Sequence, residues 1–162
     1  MTEMDQLTEM ELPKHFVSVA GVVIDDYGRI LVIKRRDDGT WQIPGGVLEL
    51  DESIEDGVKR EIEEESGIVV RVGRLSGVYK NLTRGVVSLV YLCEPIGGHG
   101  RLSEESCAVE WVRVDEARRR LDEMFWLRVA DALSGQVRTR AHDGRREVGD
   151  RPSVHVPRPG DE

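Results

Sequence analysis

The sequence predicts an α/β fold, a sandwich of helices around a mixed β-sheet. β-rich runs lie on both sides of one strongly patterned helix. A second helical stretch then closes the patterned region. A length of 162 residues suits one domain with room for a real core.

Each element has its own signal. Phe16 to Ile24 (FVSVAGVVI) and Arg29 to Ile33 (RILVI) are β-rich, and the turn formers Asp25-Asp26-Tyr27-Gly28 between them predict a hairpin. A helix is expected from about Ser53 to Glu65. Ser53 is a good N-cap, Glu55 and Asp56 suit the first turn, and Gly67 is a good stop. Further strands are expected at Val69–Leu75, Gly77–Lys80, Val86–Cys93 and Val109–Val114. A second helical region runs from Asp115 to about Leu133, with a break near Asp122. In it Leu121, Phe125, Trp126 and Val129 read as a packing face rather than a base-stacking platform. Residues 1–14 are expected to form a flexible arm and 15–133 the folded domain. Residues 134–162, rich in Gly, Pro, Arg and Asp with almost no apolar periodicity, are expected to be a disordered tail.

Composition excludes several functions. No apolar run approaches the roughly 20 residues of a membrane helix. The acidic, polar N-terminus does not resemble a secretory signal. Cys93 and Cys107 have no metal-like spacing and require no disulfide, so a cytoplasmic location is expected. A net charge of -8 argues against nonspecific nucleic-acid binding, and no DNA or membrane partner is expected. The acids are unevenly spread. Between Glu49 and Glu65 nine carboxylates face only Lys59 and Arg60.

At 100° per residue, Ile54, Val58 and Ile62 form an apolar stripe on the helix, with Asp56, Lys59 and Glu63 opposite it. Glu61 and Glu65 fall at the edge of the stripe, with Glu64 beside them. Like charges so close to a buried face repel, and protonation or a bound cation relieves the repulsion. Clustered hard oxygens suit Mg2+, with Mn2+ as a substitute. An acidic solvated helix paired to lysines elsewhere is the bland alternative. Upstream, Trp41-Gln42-Ile43-Pro44-Gly45-Gly46 makes a tight loop whose backbone can approach a ligand, or a simple turn.

Taken together, residues 46–68 resemble the Nudix signature: Gly46, Glu52, then Arg60-Glu61-Ile62-Glu63-Glu64-Glu65-Ser66-Gly67-Ile68, with every fixed position matched. The resemblance extends over roughly residues 16–133. Two family preferences are not met, since Asp51 and Gly57 stand where many members carry Gly and Ala.

The resemblance implies the Nudix fold and a metal-dependent hydrolase. Glu61, Glu64, Glu65 and the Gly45 carbonyl would hold Mg2+, Arg60 would fix a catalytic Glu, and Glu52 would either support these ligands from behind or be a further acid of the metal site. Glu105, six residues before Trp111, or Glu61 is the expected general base, with Glu104 as a fallback. Arg35, Arg36, Gly46, Lys80 and Arg84 are candidates for substrate phosphates. The expected substrate is a nucleoside triphosphate, possibly modified, cleaved to the monophosphate. ADP-ribose, a nucleotide sugar or a triphosphorylated RNA end are alternatives, and so is a non-catalytic nucleotide sensor. A homodimer is a family-level expectation.

Overall fold

The computed structural model describes residues 11–149. Eleven elements follow in order: β1 (Phe16–Val23), β2 (Ile30–Arg35), β3 (Trp41–Gln42), β4 (Gly45–Val47), α1 (Ile54–Ser66), β5 (Ile68–Asn81), β6 (Val86–Gly98), β7 (Ser106–Val112), α2 (Val114–Arg120), α3 (Glu123–Ser134) and β8 (Arg138–His142). The expected α/β architecture holds, with two sheets in place of one. A five-stranded mixed sheet has the order β4-β1-β6-β5-β8, and a three-stranded antiparallel sheet the order β3-β2-β7.

The expected hairpin is a turn without a ladder. Asp25 Oδ1 accepts from the amides of Tyr27 (3.0 Å) and Arg29 (2.8 Å), which closes the turn. Beyond the single bridge Ile24–Ile30, β1 and β2 diverge into different sheets. Both strands are buried on two faces, as their continuous apolar runs require. Ala20, Val22, Ile30 and Val32 join the core under α3, while Val19, Val23 and Leu31 join the core under α1.

The strands expected at Val69–Leu75 and Gly77–Lys80 are one long strand, β5. Register shifts near Leu75 and Gly77 explain why it reads as two. The helical break is where the sequence puts it, with Leu121 and Asp122 extended between α2 and α3. Leu121 and Val129 are buried in the core, with Phe125 and Trp126 packed against it.

The expectation of a disordered tail from Ser134 is overturned for the described part of that tail. β8 adds to the β5 edge in parallel, with Thr139 opposite Val78 and Ala141 opposite Lys80. Its sequence, RTRAH, has no apolar alternation because an edge strand contributes backbone pairing, and charged side chains suit an edge. Arg140 then pairs with the buried Asp131 of α3 at 2.7 Å. Residues 1–10 and 150–162, where the arm and the rest of the tail were expected, lie outside the described residues.

Cutting the chain after Val137 removes β8 and leaves Asp131 buried without its cation. Such a loss costs about 3 kcal/mol or more, which lowers the melting temperature by roughly 10 °C. A thermal melt of the truncated chain against the full chain checks this, and equal midpoints would contradict the docking of β8.

Candidate active site

α1 is built to carry acids at its edge. Ser53 caps it by accepting from the Asp56 amide, and Gly67, at φ 78°, ends it. Val58 and Ile62 are fully buried beneath it. That anchoring draws its edge residues inward too, so Glu61 is only 8 % exposed and Glu65 only 4 %. Glu64, one step round the helix, stays exposed.

Arg60 binds these acids together. Its Nε and Nη2 donate to both oxygens of Glu52, at 2.8 and 2.6 Å. Nη1 donates to Glu61 at 2.9 Å and to Glu64 at 3.2 Å, and Nη2 also reaches the Val47 carbonyl at 3.1 Å. Glu52 in turn accepts from the Glu49 amide at 2.9 Å. The Arg60 guanidinium and this amide hold the Glu52 carboxyl well below its usual range, at about 2. Gly57 leaves room for two side chains of the preceding loop. A Cβ at 57 would lie 2.6 Å from Leu48 Cδ1 and 3.0 Å from Glu52 Oε1.

Glu65 has no paired arginine; the Gly45 amide donates a hydrogen bond to its carboxylate, and the Arg35 charge acts on it from nearby. Burial pushes its carboxyl up to about 8, with the charges of Glu61 and Glu105 adding to the rise. Burial also raises Glu61, and Arg60 opposes that rise. A side chain at Gly46 would collide with the Glu61 carboxylate, so the glycine leaves the acid room to face the cleft.

The cleft measures about 530 Å³ and is lined by Arg35, Arg36, Gly45, Gly46, Glu61, Glu64, Glu65, Glu104 and Glu105, with Asp37 and Val47. A larger groove of about 970 Å³, bounded by Tyr27, Arg113, Arg118, Trp126 and Leu133, lies away from these acids. The chemistry argues for the smaller one.

Of the residues expected from sequence, Gly45, Gly46, Arg35, Arg36, Glu61, Glu64, Glu65, Glu104 and Glu105 therefore meet in one cleft. Arg60 and Glu52 stand behind it. Lys80 and Arg84 do not reach it: Lys80 pairs along the sheet with Val87 and Ala141, and Arg84 sits in the turn between β5 and β6. Arg36 lines the cleft and also has a structural use. Its amide donates to the Glu105 carbonyl at 2.9 Å, and its Nη2 to the carbonyls of Ser103 (3.0 Å) and Ser106 (3.2 Å). Arg36 thus holds the loop that bears Glu104 and Glu105.

Ser106 was not singled out by the sequence. It is fully buried, and its hydroxyl donates to the Glu65 carbonyl at 2.6 Å, tying the same loop to the end of α1. Arg35 pairs with Asp37 beside the cleft, and its charge bears on Glu65.

The donor set fits a hard divalent cation, because it is all oxygen and contains two buried carboxylates that repel each other. As the side chains stand, no three acids among the described residues converge on one point. Arg60 holds Glu61 and Glu64 instead, and Glu64 is exposed.

A NUDIX domain family model matches residues 14–142. This chain belongs to the Nudix family. The match runs through β8, the strand that the sequence reading left out of the domain. A "MutT-like protein" of Streptomyces ambofaciens is 55% identical over 134 residues, covering 82% of this chain and 87% of that relative. An "ADP-ribose pyrophosphatase" of Methanocaldococcus jannaschii is 35% identical over 59% of this chain and 60% of its own length. Among solved structures, a MutT NUDIX hydrolase from Burkholderia pseudomallei superposes with a TM-score of 0.65 at 30% identity. It covers 73% of this chain and 98% of its own. The family and these relatives make the chain a Nudix pyrophosphohydrolase. No helix among the described residues is long and apolar enough to cross a membrane.

The metal-free site carries a pH signature. The folded Glu65 holds its proton more tightly than the unfolded chain does, since its carboxyl rises from 4.5 to about 8. Its contribution to stability is therefore intact below about pH 4.5 and lost as pH rises to about 8. Glu52, at about 2, titrates below this window. Thermal melts in EDTA should show the wild type losing stability relative to Glu65→Gln across that window. A constant difference between the two would contradict the assignment.

Proposed function

We propose that this chain catalyses Mg2+-dependent hydrolysis of the diphosphate linkage of a nucleoside diphosphate derivative, with a nucleoside triphosphate giving monophosphate and pyrophosphate as the first choice. The observation that carries this reading is the pair of buried acids, Glu61 and Glu65, facing Glu105 across a cleft bordered by Gly45 and Gly46. Such a floor is unfavourable on its own and becomes favourable with a cation and an anionic substrate. Glu61, Glu64 and Glu65 would hold Mg2+, with Mn2+ as a substitute and the Gly45 carbonyl as a further oxygen ligand. The bound cation would screen the substrate phosphates and acidify a water molecule.

The protein's own groups then divide the work. Arg60, locked to Glu52 by two hydrogen bonds, orients Glu61 from behind. Arg35, at the cleft edge, meets the phosphate charge. Glu105 is the base, taking a proton from the attacking water at its carboxylate. Arg36, Ser103 and Ser106 keep its loop in place. Positioning and electrostatics supply most of the rate.

The triphosphate preference draws on two relatives named for such substrates, a "CTP pyrophosphohydrolase" of Escherichia coli, 30% identical over 62% of this chain, and a "Putative 8-oxo-dGTP diphosphatase" of Bacillus subtilis, 37% identical over 36% of it. The resemblance to an ADP-ribose pyrophosphatase supports a second reading, cleavage of ADP-ribose. Phosphate and pyrophosphate release from dNTPs, oxidised dGTP, ADP-ribose, nucleotide sugars and dinucleoside polyphosphates, with and without Mg2+, decides between them. Metal-dependent turnover of triphosphates is expected. Turnover of ADP-ribose alone would favour the second reading, and tight nucleotide binding with no turnover would make the chain a sensor.

Glu64→Gln should keep the fold and lower turnover by at least about a hundredfold, because a neutral amide is a poor ligand for magnesium. Near-wild-type turnover would contradict the metal assignment. Glu105→Gln should lower kcat with little change in KM, whereas an equal loss in Glu61→Gln alone would move the base to Glu61.

A further inference from the structure

Between α3 and β8 lies a second polar cluster that the catalytic cleft does not use. Most of its members satisfy one another. Tyr79 Oη donates to Asp131 Oδ2 at 2.7 Å, and Arg140 donates to both oxygens of Asp131, at 2.8 and 2.7 Å. Arg140 also reaches Glu147 at 2.9 Å.

Two donors are left over. Arg128 is 9 % exposed and lies over the rings of Tyr79 (5.1 Å) and Phe125 (4.9 Å). Its Nε is enclosed with no hydrogen-bond partner, and no carboxylate among the described residues pairs with it. His142 is 4 % exposed. Its Nδ1 accepts from the Gly144 amide at 3.0 Å, so the neutral ring carries its proton on Nε2. That nitrogen too is buried without a partner.

The two belong to one neighbourhood. Along β8, Arg140 stands opposite Tyr79 and His142 opposite Asn81, so Arg140 and His142 share the sheet face that α3 covers. Burial, and after it the positive charge of Arg128, lowers the pKa of the His142 imidazole.

A buried cation without a counterion is expensive, and so is each unmet donor. A water molecule would satisfy the donors and leave the charge unpaired. An anion with oxygen acceptors answers both needs at once, as guanidinium groups do with phosphate and carboxylate. Asp131 is not available for the role, since Arg140 and Tyr79 already hold it.

We propose that Arg128 and His142, buried together between α3 and β8, form an anion-binding site that takes a small oxyanion or the phosphate group of a nucleotide. The site is separate from the catalytic cleft, whose lining includes neither residue. Its occupancy ties β8 to α3 and so tightens the edge of the main sheet.

The test is thermal melting of the full chain in EDTA, with chloride exchanged for inorganic phosphate at constant ionic strength. EDTA leaves the acidic cleft without cations, so the cleft does not gather phosphate. The wild type should gain about 4 °C at phosphate ten times its dissociation constant, and the gain should saturate. Arg128→Met, which keeps the packing between the two rings, should lose the gain entirely. His142→Asn, which leaves the arginine in place, should lose at least half of it. AMP in place of phosphate separates the sources: an equal gain assigns the site to nucleotide phosphates, and a gain with phosphate alone to the free oxyanion. No phosphate-specific gain in the wild type, or a gain kept in both variants, would overturn the proposal.

Discussion

The active site depends on one arginine. Arg60 holds Glu52, Glu61 and Glu64 at hydrogen-bond distance, and no lysine or histidine lines the cleft to share the task. Without it, the first turn of α1, the preceding loop and the cleft acids would repel one another across a few ångströms. With it, Glu61 and Glu64 are held beside one cation of the protein's own, and Glu61 lines the cleft. Glu65 lies outside this arrangement, and a hydrogen bond from the Gly45 amide and the nearby Arg35 charge only partly offset the cost of its burial.

That unequal treatment of the acids is physically sensible. Glu52 does not line the cleft and is held by a tight, two-bond pairing with Arg60. Glu64 is exposed and loosely held, which lets it exchange partners at little cost. Glu61 and Glu65 sit deepest, where a divalent cation is worth most. The scaffold supports this from two directions. Val58 and Ile62 press α1 onto the sheet, and Ser106 and Arg36 tie the Glu105 loop to α1 and to the end of β2.

Much of this was legible in the sequence, because α1 is a local object. Its cap, its stop and the 3.6-residue spacing of Ile54, Val58 and Ile62 lie within one short segment. The placement of Glu61 and Glu65 follows from them. What was not legible depends on distant partners. β8 is polar and becomes a strand only because β5 offers an edge. β1 and β2 look like a hairpin but feed two sheets. That Arg36 also anchors the Glu105 loop shows only once Ser103 and Ser106, some 70 residues later, are seen to accept its hydrogen bonds. Lys80 and Arg84 carried the right charge and the wrong location, a distinction that composition and turn signals do not encode.

The central claim is that Arg60 stands in for a cation among the cleft acids. Thermal melting of Arg60→Gln in EDTA and again with Mg2+ or Mn2+ tests it most directly. The account predicts a large loss of stability in EDTA, much of it recovered when the divalent ion is added. A variant as stable as the wild type in EDTA, or one that the ion does not restore, would contradict it.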